Sequence, residues 1–264
     1  MMWWLGMIMS ILFMGIAFTG YSLVLGQMAF WALTVICNLI TVLPYGSDIH
    51  YFVLGGPSVG YPLLRRCYSI HFLAPFIVTF LTIAHIAYVH TLKSTEEFML
   101  SRTDLIYWQP MGFSFGFKDI YFGCIKSVLS LGVIIYGPCW LMELENYERY
   151  RVMVTPHKIV PEWYLLPFYG MLRSIPSKGV GLLVMTSGFL HLVVHAYSRY
   201  GIRYSSRYRL KMISWLLLSW ILGTVGCSLM IHPITMFSVW LTVILTPLRP
   251  LRTPGTPDPR PPEG

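Results

Sequence analysis

The hydrophobic positions of the chain form long apolar runs that short polar segments separate. Six runs have roughly the length of a membrane-spanning helix, at 3–25, 65–90, 120–142, 177–197, 210–230 and 232–247. The segment 27–42 is shorter and Asn38 interrupts it, which is typical of a helix on the membrane surface. Glycine and proline predict a loop at 43–64. The pattern therefore predicts an all-α fold, a polytopic membrane helix bundle with about six transmembrane helices plus a short interfacial helix.

The composition agrees with a membrane location. Hydrophobic residues make up 55% of the 264 positions and charged residues 11%, which is too little polar surface for a water-soluble globule. The net charge of +8 does not indicate nucleic acid, because the basic residues flank apolar runs and form no stripe with interleaved aromatics. The five cysteines have no CxxC spacing, so they predict small core residues and neither a disulfide framework nor a zinc site.

Two histidines stand out in the run 65–90. His71 and His85 are fourteen residues apart, close to four helical turns, so both side chains leave the same helix face. They are separated by roughly 21 Å along the axis, which suits two cofactors stacked across hydrocarbon ~30 Å thick. A single histidine in a membrane helix could equally bond a neighbouring hydroxyl or carbonyl. Two histidines on the same helix face at this interval favour ligation of two haem irons.

A glycine pair repeats this interval in the first run. Gly6 and Gly20 are also fourteen residues apart, and a glycine lets a flat group approach a helix closely. Small residues serve ordinary helix packing as well. The interval shared with the histidines favours two haem planes.

Charged residues at the ends of the runs are further candidates. Arg65 and Arg66 precede His71 and either neutralise haem propionates or form a basic helix flank. His90 and Asp119 are predicted at the same membrane face, where they would hold the two carbonyl oxygens of a quinone, although Asp119 could simply begin a helix. His191 and His195, four residues apart, lack a third metal ligand and favour a packing or interfacial role.

The segment PEWY contains Glu162 after a loop of mixed charge. Quinol oxidation releases protons in a pocket poor in water, where a mobile carboxylate at the rim can accept one. Without further information, a helix-flanking glutamate in a surface loop would be the first interpretation.

Several stretches resemble the mitochondrial cytochrome b family, the quinol-oxidising core of the bc1 complex (complex III). They are RRCYSIHFLAPFIVTFLTIAHIAYVH, GYSLVLGQMAFWALTVICNL and PHKIVPEWYLLPFYGMLRSIPSK, and the last matches over more than twenty positions. Val24 and Leu25 stand where the family usually has Pro-Trp beside the quinol-oxidising pocket, which leaves the fine shape of that pocket open.

The resemblance implies a set of site residues. His71 and His85 would be axial ligands of two b-type haems, with Gly6 and Gly20 beside the haem planes and Arg66 near one haem. The remaining implied residues are those of the two quinone sites: Glu162, Tyr164 and Tyr169 for quinol oxidation, and His90, Lys118 and Asp119 for quinone reduction. Arg173 would support the loop that follows PEWY.

The implied function is electron transfer within a quinol–cytochrome c reductase, from quinol at one membrane face through two haems to a quinone-reducing site at the other, with proton translocation. The alternative is a haem-free membrane scaffold or transporter derived from such a subunit. The implied cofactors and partners are ubiquinone or ubiquinol, the Rieske iron–sulfur protein, cytochrome c1, other complex III subunits and lipids, in a dimeric complex. The mitochondrial inner membrane is favoured over a bacterial plasma membrane.

The resemblance covers the later six of the family's eight helices. The absent second helix supplies the opposing haem histidines, so we expect a split cytochrome b in which a separate chain brings the first two helices. Four regions are expected: a haem-binding helix pair with interfacial helix and loop at 1–92, a helix and quinol-site loop at 93–176, a three-helix membrane region at 177–248, and a Pro-rich basic tail at 249–264.

Overall fold

The computed structural model describes residues 2–92, 116–137, 142–194 and 206–227. Helices dominate these ranges, which confirms the all-α prediction. In chain order they are α1 (Met2–Leu23), α2 (Gln27–Leu39), α3 (Gly46–Leu54), α4 (Tyr61–Leu92), α5 (Phe117–Tyr136), α6 (Leu166–Arg173), α7 (Lys178–Val194) and α8 (Ser206–Cys227). Two 3-10 turns, Ile40–Val42 and Leu144–Tyr147, connect them.

Three helices of the described ranges are long and apolar enough to cross a membrane: Met2–Leu23, Tyr61–Thr91 and Phe117–Tyr136. They correspond to the first three predicted spans, so the chain is an integral membrane protein. The predicted spans at 177–197 and 210–230 are represented by α7 and α8. The predicted span 232–247, like His195 and Cys139, lies outside the described residues.

The prediction of a loop throughout 43–64 is wrong, because α3 lies within it and α4 begins at Tyr61. Gly55 adopts φ 68°, the left-handed conformation that ends a helix and that glycine adopts without steric cost. Asp48 lies in the first turn of α3, where a carboxylate stabilises the positive end of the helix dipole. The flanking glycines and prolines thus delimit a short helix.

The first core forms where α1, α2, α3 and α4 meet. Its buried members are Leu33, Cys37, Leu54, Leu63 and Cys67. Cys37 and Cys67 are buried free thiols within this cluster, as predicted for small core residues, whereas Cys124 is exposed. The cluster packs α2 and α3 against the same end of the α1–α4 pair.

A second contact joins α6 to α7 and α8. A Cβ on Gly170 would lie 2.6 Å from the carbonyl oxygen of Leu222, and one on Gly226 would lie 2.5 Å from that of Leu166, so two backbones touch here. Phe168 stacks on Phe189 of α7 with ring centroids 3.8 Å apart. These contacts fix the helix that follows PEWY against the later membrane helices.

Candidate functional site

His71 lies on the face of α4 that packs against α1. Its Nδ1 is 2.9 Å from the carbonyl oxygen of Ile16 and 3.3 Å from the hydroxyl of Thr19. The Thr19 hydroxyl already donates to the Gly15 carbonyl at 2.8 Å, so both neighbours of Nδ1 act as acceptors. This arrangement fits the tautomer with a proton on Nδ1, which leaves the lone pair of Nε2 for a metal.

Gly20 provides the space for this ring. A Cβ at this position would lie 2.6 Å from Cε1 of His71, closer than real Cβ atoms approach. Any side chain larger than hydrogen would therefore displace the imidazole.

His85 repeats the arrangement at the other end of the helix pair, but more loosely. A Cβ on Gly6 would lie 3.7 Å from Cε1 of His85, an ordinary van der Waals distance. Nδ1 of His85 is buried and has no hydrogen-bond partner among the described residues. A buried polar nitrogen without a partner is costly, since it forfeits its hydration.

The residues present fit two haem groups. Each pair combines a histidine nitrogen with a glycine on the facing helix, at the same fourteen-residue interval in α1 and α4. Within the described ranges, no three His, Cys, Asp or Glu side chains form a group able to hold a bare metal ion. A haem brings its own equatorial ligands, so one histidine at each position suffices from this chain.

Arg66 contacts the C-terminal end of α3. Its Nη1 donates to the carbonyl oxygen of Phe52, and to that of Val53 at 2.7 Å. The guanidinium also lies over the Phe52 ring, 5.3 Å from its centroid. In this structure Arg66 therefore caps α3, and its role toward a haem propionate stays a prediction.

Glu162 and Tyr164 are half-buried, in the segment before α6. Burial, and secondarily the charge of Glu143, raise the pKa of the Glu162 carboxyl above its ordinary value. Burial and the Glu162 charge raise the pKa of Tyr164 to about 12. The Tyr164 hydroxyl is buried and has no partner within the described part of the chain. A carboxyl with a raised pKa near a hydroxyl that has no partner in the described ranges suits proton exchange.

The loop before PEWY is fastened to the start of α2. The Asn146 Oδ1 accepts from the backbone N–H of Ala29 at 3.1 Å. The backbone N–H of Gln27 donates to the backbone carbonyl of Glu148 at 2.9 Å. The Gln27 side chain spans the same contact, since its Oε1 accepts from the Arg151 N–H at 2.7 Å. The segment 143–154 and α2 therefore form one hydrogen-bonded unit.

Five predicted residues remain, near the end of α4, at the start of α5 and in α6. His90, in the last turn of α4, and Lys118 and Asp119, in the first turn of α5, are exposed side chains. No hydrogen bond or ion pair links these three within the described ranges, and their quinone contacts stay predictions. Tyr169 donates to the carbonyl of Ile159 at 3.4 Å and lies under the guanidinium of Arg173, 5.3 Å from the ring centroid.

Sequence reasoning missed three residues of the site. Thr19 was available as a hydroxyl directly before Gly20 in an otherwise apolar helix. Glu143 and Asn146 gave no local signal, because their significance comes from groups distant in sequence: Glu162 for the first, and Ala29, which is 117 residues away, for the second.

Comparison with known families covers most of the chain. A family model described as "Cytochrome b(N-terminal)/b6/petB" matches residues 1–143, and one described as "Cytochrome b(C-terminal)/b6/petD" matches residues 151–246.

Individual relatives match about three quarters of the chain. Cytochrome b of Schizophyllum commune is 43% identical over 194 residues, 73% of this chain and 50% of the relative. Cytochrome b of Dictyostelium discoideum is 42% identical over 199 residues, 75% of this chain and 50% of the relative. Cytochrome b of Yarrowia lipolytica is 39% identical over 194 residues, with coverage of 73% and 50%. The chain thus spans about half the length of these relatives.

A solved structure titled "Hyperthermophilic respiratory Complex III" is similar to this fold. The TM-score is 0.77 at 22% identity, covering 93% of this chain and 67% of that one. At this identity the likeness shows a shared fold. Because the two family models together match 1–143 and 151–246, the chain belongs to the cytochrome b family.

Proposed function

We propose that this chain is the electron-transfer subunit of a quinol–cytochrome c oxidoreductase and acts as part of a larger complex. The observation that supports it best is the register of two glycine–histidine pairs, Gly20 with His71 and Gly6 with His85, on facing membrane helices. Together with family membership, this register favours two redox groups at different depths in one bilayer.

His71 and His85 would each hold one b-type haem through a ring nitrogen. A bound haem supplies one-electron acceptance and donation at its iron. The residues of this chain orient it: the Nδ1 contacts of His71 fix the imidazole, and Gly6 and Gly20 keep the facing helix surface free of side chains. The guanidinium of Arg66 is the proposed partner of a haem propionate.

Quinol oxidation is proposed at the face where the 143–154 loop and PEWY lie. The Glu162 carboxylate accepts a proton from the quinol hydroxyl and turns toward solvent to release it. Its raised pKa favours holding that proton, because neutralising the carboxylate removes the cost of burying charge beside Glu143. Tyr164 and Tyr169 line the pocket.

Quinone reduction is proposed at the opposite face. His90 and Asp119 would hold the two carbonyl oxygens of the quinone and deliver protons to them, with the Lys118 ammonium balancing the charge. The exposure of all three side chains supports proton exchange with water at this face.

The first two cytochrome b helices and the opposing haem histidines are proposed to come from residues other than those of this sequence. No second histidine pair in this sequence has the fourteen-residue interval, which supports ligands from elsewhere. The other proposed partners are the Rieske iron–sulfur protein, cytochrome c1, further complex III subunits and lipids, in a dimeric complex of the mitochondrial inner membrane.

A haem count on the purified complex tests the proposal. We expect a reduced-minus-oxidised spectrum of b-type haem, and the loss of one haem of two in each of His71→Ala and His85→Ala. An unchanged count in both variants would refute ligation. Absence of any b-type spectrum from the intact complex would favour the haem-free scaffold or transporter.

The proton role is tested separately. Glu162→Gln should slow quinol oxidation while both haems stay bound and quinone reduction at the His90 face continues. If both half-reactions decline together, the substitution acts through folding and the assignment of Glu162 is wrong.

A further inference from the structure

Lys126 lies in the middle of a membrane helix. The helix α5 has 20 residues, which at about 1.5 Å per residue span about 30 Å, the thickness of the hydrocarbon layer. Lys126 is nine residues after Phe117 and ten before Tyr136, so its Cα lies roughly 14 Å from either end of the helix. A lysine near a helix end extends its ammonium to the interface, and this position is as far as possible from both ends. The ammonium therefore requires a counter-charge inside the membrane.

The described residues do not provide this counter-charge. The Lys126 side chain is exposed, and within the described ranges it forms no hydrogen bond or ion pair. The nearest carboxylate along α5 is that of Asp119, seven residues and roughly 10.5 Å away along the axis. None of the eleven Asp and Glu residues of the sequence lies within the six apolar runs. Another span of this sequence therefore cannot neutralise Lys126.

The same face of α5 has small residues on both sides of Lys126. Gly123 lies three residues before it and Ser130 four residues after it, so the three share one helix face, here called the lysine face. A Cβ at Gly123 would meet no atom of the described residues within 4 Å. Glycine and serine at this spacing allow the backbone of a second membrane helix to approach closely. The lysine face thus combines space for a helix with an unbalanced positive charge.

We propose that the lysine face binds a transmembrane helix from outside this sequence that carries an Asp or Glu at the depth of Lys126. An ammonium and a carboxylate in contact remove much of the cost that each would have alone in hydrocarbon. Lipid acyl chains offer no negative charge at this depth, and a second copy of this sequence has no carboxylate in its apolar runs. The proposal does not depend on the residues assigned to haem or quinone.

Carbodiimide cross-linking of the wild-type complex identifies the partner. Dicyclohexylcarbodiimide is apolar enough to enter the membrane, and it couples a carboxylate to a neighbouring amine as an amide. We expect mass spectrometry of the digested complex to show Lys126 joined to an Asp or Glu in an apolar peptide that is absent from this sequence. Failure to find any such product would overturn the proposal. Coupling of Lys126 only to Asp119, or to any other peptide of this sequence, would overturn it as well.

Variants of the intact complex test whether the position of the charge matters. Lys126→Leu should lower the melting temperature by several degrees, because it leaves the partner carboxylate without a counter-charge in hydrocarbon. Lys126→Arg keeps the charge and should retain most of the stability. A lysine that faced lipid would give the opposite result, since leucine is the more favourable residue there.

The matched control moves the charge around the helix. Val128 is two residues after Lys126, so it has nearly the same depth and points to the other side of α5. The double variant Lys126→Val with Val128→Lys keeps the composition, and we expect it to melt as early as Lys126→Leu. Haem content shows that each variant still assembles its core. A double variant as stable as the wild type, or a Lys126→Leu variant that is equally or more stable, would overturn the proposal.

Discussion

The α1–α4 pair contains one glycine–histidine contact toward each end, and the two ends are built differently. At the Gly20 end the His71 ring is tightly packed and bonds two oxygen acceptors. At the Gly6 end the His85 ring has ordinary clearance and its buried Nδ1 lacks a partner in the described ranges. An identical spacing in the sequence therefore fixes the register of both contacts without fixing their tightness.

The difference reflects what surrounds each end. The His71 end adjoins α2, α3 and the 143–154 loop, which are tied together by the core cluster and by the hydrogen bonds of Asn146 and Gln27. At the His85 end, α1 and α4 face each other at Gly6 and His85. Tight packing at one end of the pair thus coincides with the proposed quinol-oxidising face.

The largest expected effect comes from Gly26→Ala, which acts on the Asn146 contact. A Cβ at this position would collide with the backbone and side-chain oxygens of Asn146, and backbone cannot move aside cheaply. Overpacking of this kind costs ~1–3 kcal/mol or more, and here it would detach the loop from α2. We expect a lower melting temperature and faster proteolysis within 143–154.

Gly15→Ala is the matched control for that variant. Nothing lies within 4 Å of a Cβ at Gly15, so the same chemical change in α1 should leave melting and proteolysis as in the wild type. Similar behaviour of the two variants would show that the Asn146 contact does not hold the loop.

The second prediction compares the two ends directly. Gly20→Ala must displace the His71 ring and should weaken retention of its haem about 5- to 150-fold, the equivalent of ~1–3 kcal/mol. Gly6→Ala meets His85 only at an ordinary contact distance and should alter haem retention less. Haem release from each variant, followed by difference spectroscopy, measures both. Equal losses would mean that the two ends are equally tight.

Local sequence patterns predicted much of this architecture. They predicted little of the difference in packing between the Gly20–His71 end and the Gly6–His85 end. Length and apolarity identify α1, α4 and α5, and a fourteen-residue interval identifies the facing glycine and histidine positions, since both are properties of a single helix. The helix α3 was missed because its nine residues lie among glycines and prolines, although Gly55 is a typical helix-ending residue.

Long-range partners left no such pattern. Asn146 bonds to the α2 backbone, and Arg66 bonds to the α3 carbonyls. Both contacts depend on the tertiary fold, which brings segments separated in sequence to the same end of the α1–α4 pair. Arg66 illustrates the limit, since its position beside His71 fits a haem propionate and its observed contacts are with α3.

The third prediction concerns the pH dependence of quinol oxidation, which is proposed at the face that adjoins the His71 end. A proton acceptor must be deprotonated to work, so a raised pKa of Glu162 moves the acid limb of quinol oxidation to higher pH. Glu143→Gln removes a charge that raises this pKa, and the acid limb should move to lower pH. Burial is the larger cause and stays, so the shift is partial.

Initial rates of quinol oxidation across pH measure this shift. Glu145→Gln is the control, because Glu145 raises the pKa of Glu143 and is not among the groups that shift the pKa of Glu162. A shift of the acid limb toward higher pH in Glu143→Gln would contradict the assignment of Glu162 as the proton acceptor. An equal shift toward lower pH in Glu145→Gln would contradict it as well.

The smallest expected effect comes from exchanging one hydroxyl between the two ends. Thr19 precedes Gly20, and Leu5 precedes Gly6, so the two positions are again fourteen residues apart. Thr19→Val removes one acceptor from Nδ1 of His71 and leaves the Ile16 carbonyl in place. Leu5→Thr places a hydroxyl at the corresponding position toward Nδ1 of His85, which has no partner among the described residues.

A hydrogen bond from Nδ1–H makes the imidazole a stronger donor to the haem iron and stabilises the oxidised iron. Thr19→Val should therefore raise the midpoint potential of the haem at His71, and Leu5→Thr should lower that of the haem at His85. At ~0.5–1.5 kcal/mol per hydrogen bond, each shift is roughly 20–60 mV for a one-electron couple. Potentiometric titration of the two haems measures both, and shifts of the same sign would mean that the hydroxyl does not act through the histidine.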